Sequence, residues 1–183
     1  MQAIIDGCRS GYIDANPAVV ISNNSASGAL ERARRAGIPC FHISSKQFSA
    51  EEALGIAIAD TLENHGVDLV ILAGYMKIVG PEILRRFRGR VLNIHPALLP
   101  KFGGKGMYGR FVHEAVLAAG EKESGPTVHL VDEIYDHGRI LAQAIIPVLQ
   151  GDTPDTLADR VLQQEHILYP DTIRRIALGE IIL

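Results

Sequence analysis

A chain of 183 residues with 47% hydrophobic residues suits one compact domain, able to bury about 70% of the surface its unfolded chain exposes. Its formal net charge of -3 comes from 18 basic and 21 acidic residues interspersed rather than blocked, which gives no electrostatic reason to expect nucleic acid or an anionic membrane as partner. Cys8 and Cys40 stand in no paired metal or redox spacing, and neither a secretory leader nor a bilayer-spanning apolar run is legible, so the expectation is a reduced, cytoplasmic protein acting on small molecules.

A short helical start at Gln2 to Asp6 leads to the β-branched run Ala18-Val19-Val20-Ile21-Ser22, then to a helical pattern through Leu30, Ala33 and Ala36 that Gly37-Ile38-Pro39 ends. Cys40 to Ile43 reads as a second strand, and Ser49 with Glu52 as a capping box opening a helix to about Gly66. The nearly continuous apolar run from Val67 to Ala73 has the pattern of a parallel strand covered on both faces and central in its sheet. Pro81 to Arg86 reads as a short helix, Gly89 to Ile94 as a strand, Leu98 to Tyr108 as a Gly- and Pro-rich loop, and Phe111 to Ala119 as a helix that Gly120 stops. Thr127 to Val131 and Ile140 to Val148 read as two strands separated by a turn, before Thr153 caps a last helix carrying Leu157, Val161 and Ile167. The alternation predicts an α/β fold, a doubly wound, mostly parallel sheet flanked by helices, forming a single domain over residues 1–183 with ligands at the carboxyl ends of its strands. Such a sheet ordinarily opens with a strand and a Gly-rich turn; here a helix comes first, so the domain is expected to be incomplete at its amino terminus.

Asn93-Ile94-His95-Pro96 stands where a strand leaves the sheet, and strand alternation puts Asn93 and His95 on one side of the backbone, able to converge on one ligand. An amide donor beside an imidazole suits acyl transfer, the amide stabilising a developing oxyanion and the imidazole donating a hydrogen bond or moving a proton. Asp136, in the turn Tyr135-Asp136-His137-Gly138 after the strand that holds His129, is placed to reach the same crevice, where a carboxylate could orient His95 and relay protons. Each residue taken singly has a plainer reading: Asn93 ends a strand, His95 is a hydrogen-bonded core histidine, Asp136 is an Asx-turn residue ahead of Gly138. His129, among β-branched and apolar neighbours, reads as a core or supporting histidine. His113 and His166 fall on helices without metal-ligand spacing, no metal is expected, and no G-x-G-x-x-G follows a strand to suggest a dinucleotide.

Almost the whole chain resembles the folate-dependent phosphoribosylglycinamide formyltransferases. The segments that carry the resemblance are Ser22-Asn23-Asn24, Ala33 to Pro39, Leu72-Ala73-Gly74-Tyr75-Met76-Lys77-Ile78, Leu92 to Pro96, Leu98-Leu99-Pro100, Gly125 to His129 and Glu165 to Pro170, in the family's order and spacing. The resemblance implies a Rossmann-like formyltransferase fold, transfer of a formyl group from 10-formyltetrahydrofolate as cosubstrate to the amine of glycinamide ribonucleotide, and a place in purine synthesis. It implies that Asn93, His95 and Asp136 are the catalytic trio, supported by Thr127 and His129. The stretch Met76, Lys77, Ile78, Val79 would line the folate pocket with Asn93, and the loop Asp136, His137, Gly138 to Arg139 would close over it. Glu165 would meet the ribonucleotide substrate.

It further implies an opening strand and a phosphate-cradling loop ahead of the first helix, and leaves a homodimer open. Two departures stand out, Phe102-Gly103-Gly104 where the family has Phe-Pro-Gly, and Arg139 where a proline is usual; both predict looser loops. The alternatives are a hydrolase like formyltetrahydrofolate deformylase, the tRNA-directed formyltransferases that share the trio, and a catalytically silent nucleotide- or folate-binding domain.

Overall fold

The computed structural model describes residues 1–183. In chain order it consists of α1 (Gln2–Arg9), β1 (Val20–Ser22), α2 (Gly28–Ala36), β2 (Cys40–His42), a 3-10 turn (Ser45–Gln47), α3 (Glu51–Asn64), β3 (Val70–Ile71), α4 (Pro81–Arg86), β4 (Val91–His95), α5 (Arg110–Ala118), β5 (Glu123–Ser124), β6 (Thr127–Leu130), β7 (Ile140–Gln143), β8 (Ile146–Pro147) and α6 (Pro154–Ala177). The alternation expected from the sequence is present throughout, and α4 occupies the residues that its leading proline and apolar spacing indicate.

Two expectations are corrected. The capping box at Ser49 and Glu52 does not form, because α3 starts behind Ala50 and leaves Ser49 one position too early to meet the free N–H groups of the first turn. The box that forms is one element upstream, where Ser44 N donates to Gln47 Oε1 at 2.6 Å. The run Val67 to Ala73 is not a central strand: only Val70–Ile71 pair, at the outer edge of the sheet β3-β4-β6-β7. Val67 N is taken by Leu62 O at the end of α3, 3.1 Å away, so the apolar run is shared between a helix end and a short strand.

Pairing is parallel in β1-β2 and β3-β4, as βαβ units require. It turns antiparallel in β4-β6, although α5 and β5 lie between those strands in the chain, and in β6-β7, which a loop joins; a separate antiparallel pair joins β5 to β8. β1-β2 and the four-stranded sheet are not hydrogen-bonded to one another, yet Val19, Ile21, Val70 and Leu72 all pack on one core of Ala59, Leu62, Val79, Ile83, Phe87 and Val91.

Adjacent residues of β4 explain the two layers. Val91 faces the core built on α3 and α4, while Leu92 faces the opposite core of Ile13, Val128, Tyr169 and Ile173, and both side chains are fully buried. Each such burial contributes about 1.5–3 kcal/mol, so helices on both faces of this strand lock its tilt and its end point. The Tyr169 hydroxyl reaches from α6 across that second layer to Leu72 O (3.1 Å) and Leu92 O (3.0 Å), tying the end of β3 to the first part of β4. The register then sets the polar row: Asn93 is opposite His129, and His95 is opposite Thr127, which is opposite Gln143 on β7.

Candidate active site

At the carboxyl end of β4, burial drives His95 into a position where every ring nitrogen must be accounted for. Its Nε2 lies 2.8 Å from Phe102 O, and since a carbonyl only accepts, Nε2 carries the hydrogen. The other nitrogen, Nδ1, faces Asp136 Oδ2 at 3.4 Å. Burial lowers the His95 pKa, and the opposing pull of Asp136 and the Phe102 carbonyl does not restore it, so the ring is neutral at pH 7 with Nδ1 bare. Burial by itself would raise Asp136; His129 and His95, which favour the carboxylate once acid has protonated them, and the Gly104 N–H outweigh it and hold the carboxyl below its usual range. A bare imidazole nitrogen and an ionised carboxylate therefore face each other across a gap suited to one shared proton.

Asn93 is oriented by a second histidine. His129 Nδ1 donates to Leu130 O (2.8 Å), which leaves Nε2 to accept from Asn93 Nδ2 at 3.2 Å. One amide hydrogen of Asn93 is thus spent on orientation and the other remains for a ligand. His129 Nε2 also lies 3.5 Å from Asp136 Oδ1, so Asn93, His129, Asp136 and His95 form one continuous cluster. His129 is buried, and its position in the middle of β6 fits its reading as a supporting residue.

The segment Phe102 to Gly104 brackets this cluster. Phe102 O receives the His95 hydrogen, and Gly104 N donates to Asp136 Oδ2 at 3.0 Å. A β-carbon on Gly103 would come within 2.6 Å of Leu99 Cδ2 and 3.1 Å of Asp136 Cβ, so the backbone is wedged between them. With no side chain at Gly103, the segment lies directly against Leu99 and Asp136. Behind it, Thr127 Oγ1 donates to Ala97 O (2.7 Å) and accepts from Leu99 N (3.1 Å), fixing the chain as it leaves β4. On the far side, Gly138 packs on β6 so closely that a β-carbon would stand 1.9 Å from Leu130 O. Asp136 itself has a φ of 54°, in the left-handed region that Asp tolerates better than most residues.

Profile matching to the formyl transferase family covers residues 1–173. The chain belongs to this family. It is 42% identical over 181 residues to phosphoribosylglycinamide formyltransferase from Haemophilus influenzae, covering 99% of this chain and 83% of the relative. It is 45% identical over 173 residues to the chloroplastic phosphoribosylglycinamide formyltransferase of Arabidopsis thaliana, where it spans 94% of its own length and 59% of that relative. The crystal structure of glycinamide ribonucleotide transformylase 1 from Symbiobacterium toebii superimposes with a TM-score of 0.93 at 44% identity, covering all of this chain and 84% of that one. The fold is thus the Rossmann-like α/β fold of the formyl transferases, as expected from the alternating elements.

Around the cluster, this member of the formyl transferase family places two loops and a cleft. Met76, Lys77 and Ile78 lie exposed in the loop after β3, whereas Val79 turns into the core and is 6% exposed, so only its backbone is offered to a ligand. Tyr75 beside them has its phenol pushed up by burial and, secondarily, by Tyr135, which brings this loop against the one that carries Asp136. His137 is exposed and its Nδ1 lies 3.2 Å from Asp132 Oδ2, bracing the same turn. At Arg139 the guanidinium donates to Ile182 O and the carbonyl accepts from Leu130 N.

Glu165 lies apart from the cluster, on α6, lining a cleft of about 300 Å³ with Pro96, Arg110 and His113. Burial raises its carboxyl to about 7. His113 is buried beside it, with Nδ1 unpartnered and its pKa lowered by burial first and by His95 second. His113 lies on a helix, α5, as its spacing indicates, but its place on the cleft was not legible, since one histidine on an amphipathic helix has no signature. The same is true of the Phe102 carbonyl and the Gly104 amide, which carry no side-chain signal.

Proposed function

We propose that the chain transfers a formyl group from 10-formyltetrahydrofolate to the amine of glycinamide ribonucleotide. The observation that carries the reading is the convergence of Asn93, neutral His95 and ionised Asp136 in one cluster at the end of β4, within a chain of this family. The names of the relatives, which this chain matches over most of its length, support the ribonucleotide as acceptor of a formyl group, and membership of the formyl transferase family supports a folate as its donor.

The acceptor amine attacks the formyl carbon, forming the new C–N bond and placing negative charge on the formyl oxygen. The free N–H of Asn93 meets that charge, in a site where His129 has already fixed the amide's orientation. The proton released by the attacking nitrogen passes to the gap between Asp136 Oδ2 and His95 Nδ1 and returns to the folate nitrogen as its bond to the formyl carbon breaks. No group of the protein becomes covalently attached. The exposed side chains of Met76, Ile78, Ile134 and Tyr135 supply an apolar rim for the pterin ring, and Glu165 with His113 and Arg110 lines the cleft for the ribonucleotide.

The test is incubation of the purified chain with both substrates while formylated ribonucleotide and free formate are measured together by mass. Formylated product in step with loss of the donor is expected. Formate released to water without formylated product sinks the transfer reading in favour of a hydrolase.

A further inference from the structure

Gln143 is exposed on the edge strand β7, where a side chain ordinarily points its amide at water. Instead its Nε2 reaches back along the sheet and donates to Leu99 O at 3.0 Å and to Thr127 Oγ1 at 2.8 Å, using both amide hydrogens. Thr127 Oγ1 is then complete, accepting from Gln143 and from Leu99 N and donating to Ala97 O. Both polar atoms of Leu99 are held by this knot, and the Leu99 side chain lies directly beneath Gly103. From there one residue in each direction reaches the cluster, through Phe102 O on His95 and Gly104 N on Asp136.

The register makes this more than proximity. His95, Thr127 and Gln143 are successive partners across β4, β6 and β7, so one row of the sheet runs from the exposed edge to the imidazole. The Phe102 carbonyl decides which nitrogen of His95 carries the hydrogen, and its position depends on where Leu99 is held.

We propose that Gln143 is a positioning residue for the reaction: through Thr127 and Leu99 it holds the Phe102–Gly104 segment that sets the tautomer of His95 and the aim of Asp136. In its kinetic part this rests on the formyl-transfer reading. Loss of the Gln143 amide frees Leu99 O, lets the segment shift, and mixes the two His95 tautomers.

The experiment uses Gln143→Met, which matches the side chain in length and cannot donate, and Thr127→Val as a second variant that unties the knot from its other side. Imidazole nitrogen NMR of the folded protein without substrates is expected to show His95 moving from the Nε2–H form toward a mixture. Turnover is expected to fall by roughly tenfold to a hundredfold with KM nearly unchanged, as for a small misplacement of reacting groups. Thr127→Ser, which keeps the hydroxyl, should recover the parent His95 signals. Unchanged His95 signals in folded Gln143→Met overturn the role of Gln143, even if thermal stability drops. Absence of transfer by the parent chain overturns the formyl-transfer reading and leaves the NMR comparison standing.

Discussion

Asp136 is the residue on which the chemistry turns, because it is the only carboxylate in the cluster and both histidines face it. Replacing it with Asn keeps the size and the left-handed backbone preference but removes the charge and half the proton gap. Turnover of Asp136→Asn is expected to fall by about 10²–10⁴-fold, the usual worth of a positioned proton acceptor, while folate binding measured by fluorescence quenching stays near that of the parent. Turnover within a fewfold of the parent would remove Asp136 from the mechanism. The pH dependence follows from the same two groups. Both His95 and Asp136 have lowered pKa values, so the unprotonated pair persists to lower pH than a free histidine would allow, and activity declines only as acid protonates it.

At the scale of elements, the site is held by turns whose geometry forbids side chains. Gly138 lies two residues from Asp136 with no space for a β-carbon against Leu130 O. Gly138→Ala must push the turn off β6, breaking the bond from Leu130 N to Arg139 O and carrying Asp136 away from His95. Hydrogen exchange at the Leu130 amide should speed up and turnover should drop, whereas Gly28→Ala, with only the flexible end of Arg32 near its new methyl, should leave both unchanged. Equal exchange in Gly138→Ala and the parent would show that the turn does not depend on this contact. These turns also mark the limit of what the amino-acid pattern reveals. Asn93 and His95 were legible as a pair because strand alternation is local, and Thr153 was legible as a cap because its hydroxyl serves the next turn. The edge position of β3, the knot at Leu99 and the wedge at Gly103 depend on contacts between residues far apart in the chain, which no local period records.

For the molecule as a whole, stability should respond to acid and base through different groups. Asp152 accepts from both Arg160 guanidinium nitrogens, Leu149 N and Thr156 Oγ1, which holds its carboxyl far below the usual range; its contribution is present above the unfolded pKa near 4 and is lost as pH falls. His95 and Asp136 act in the same direction, since the fold favours the unprotonated form of each. Glu165 acts in the opposite sense. With its folded pKa raised by burial to about 7 against an ordinary value of 4.5, the fold prefers the protonated carboxyl, so this stabilisation is full below about pH 4.5 and disappears as pH rises through 7. Glu165→Gln keeps the shape and cannot ionise. Its melting temperature should match that of the parent near pH 4.5 and exceed it increasingly between pH 6 and 8. Melting curves that run parallel over that interval would mean that Glu165 ionises as easily in the fold as in the open chain, and the cleft beside His113 would then have to be more hydrated than its walls indicate.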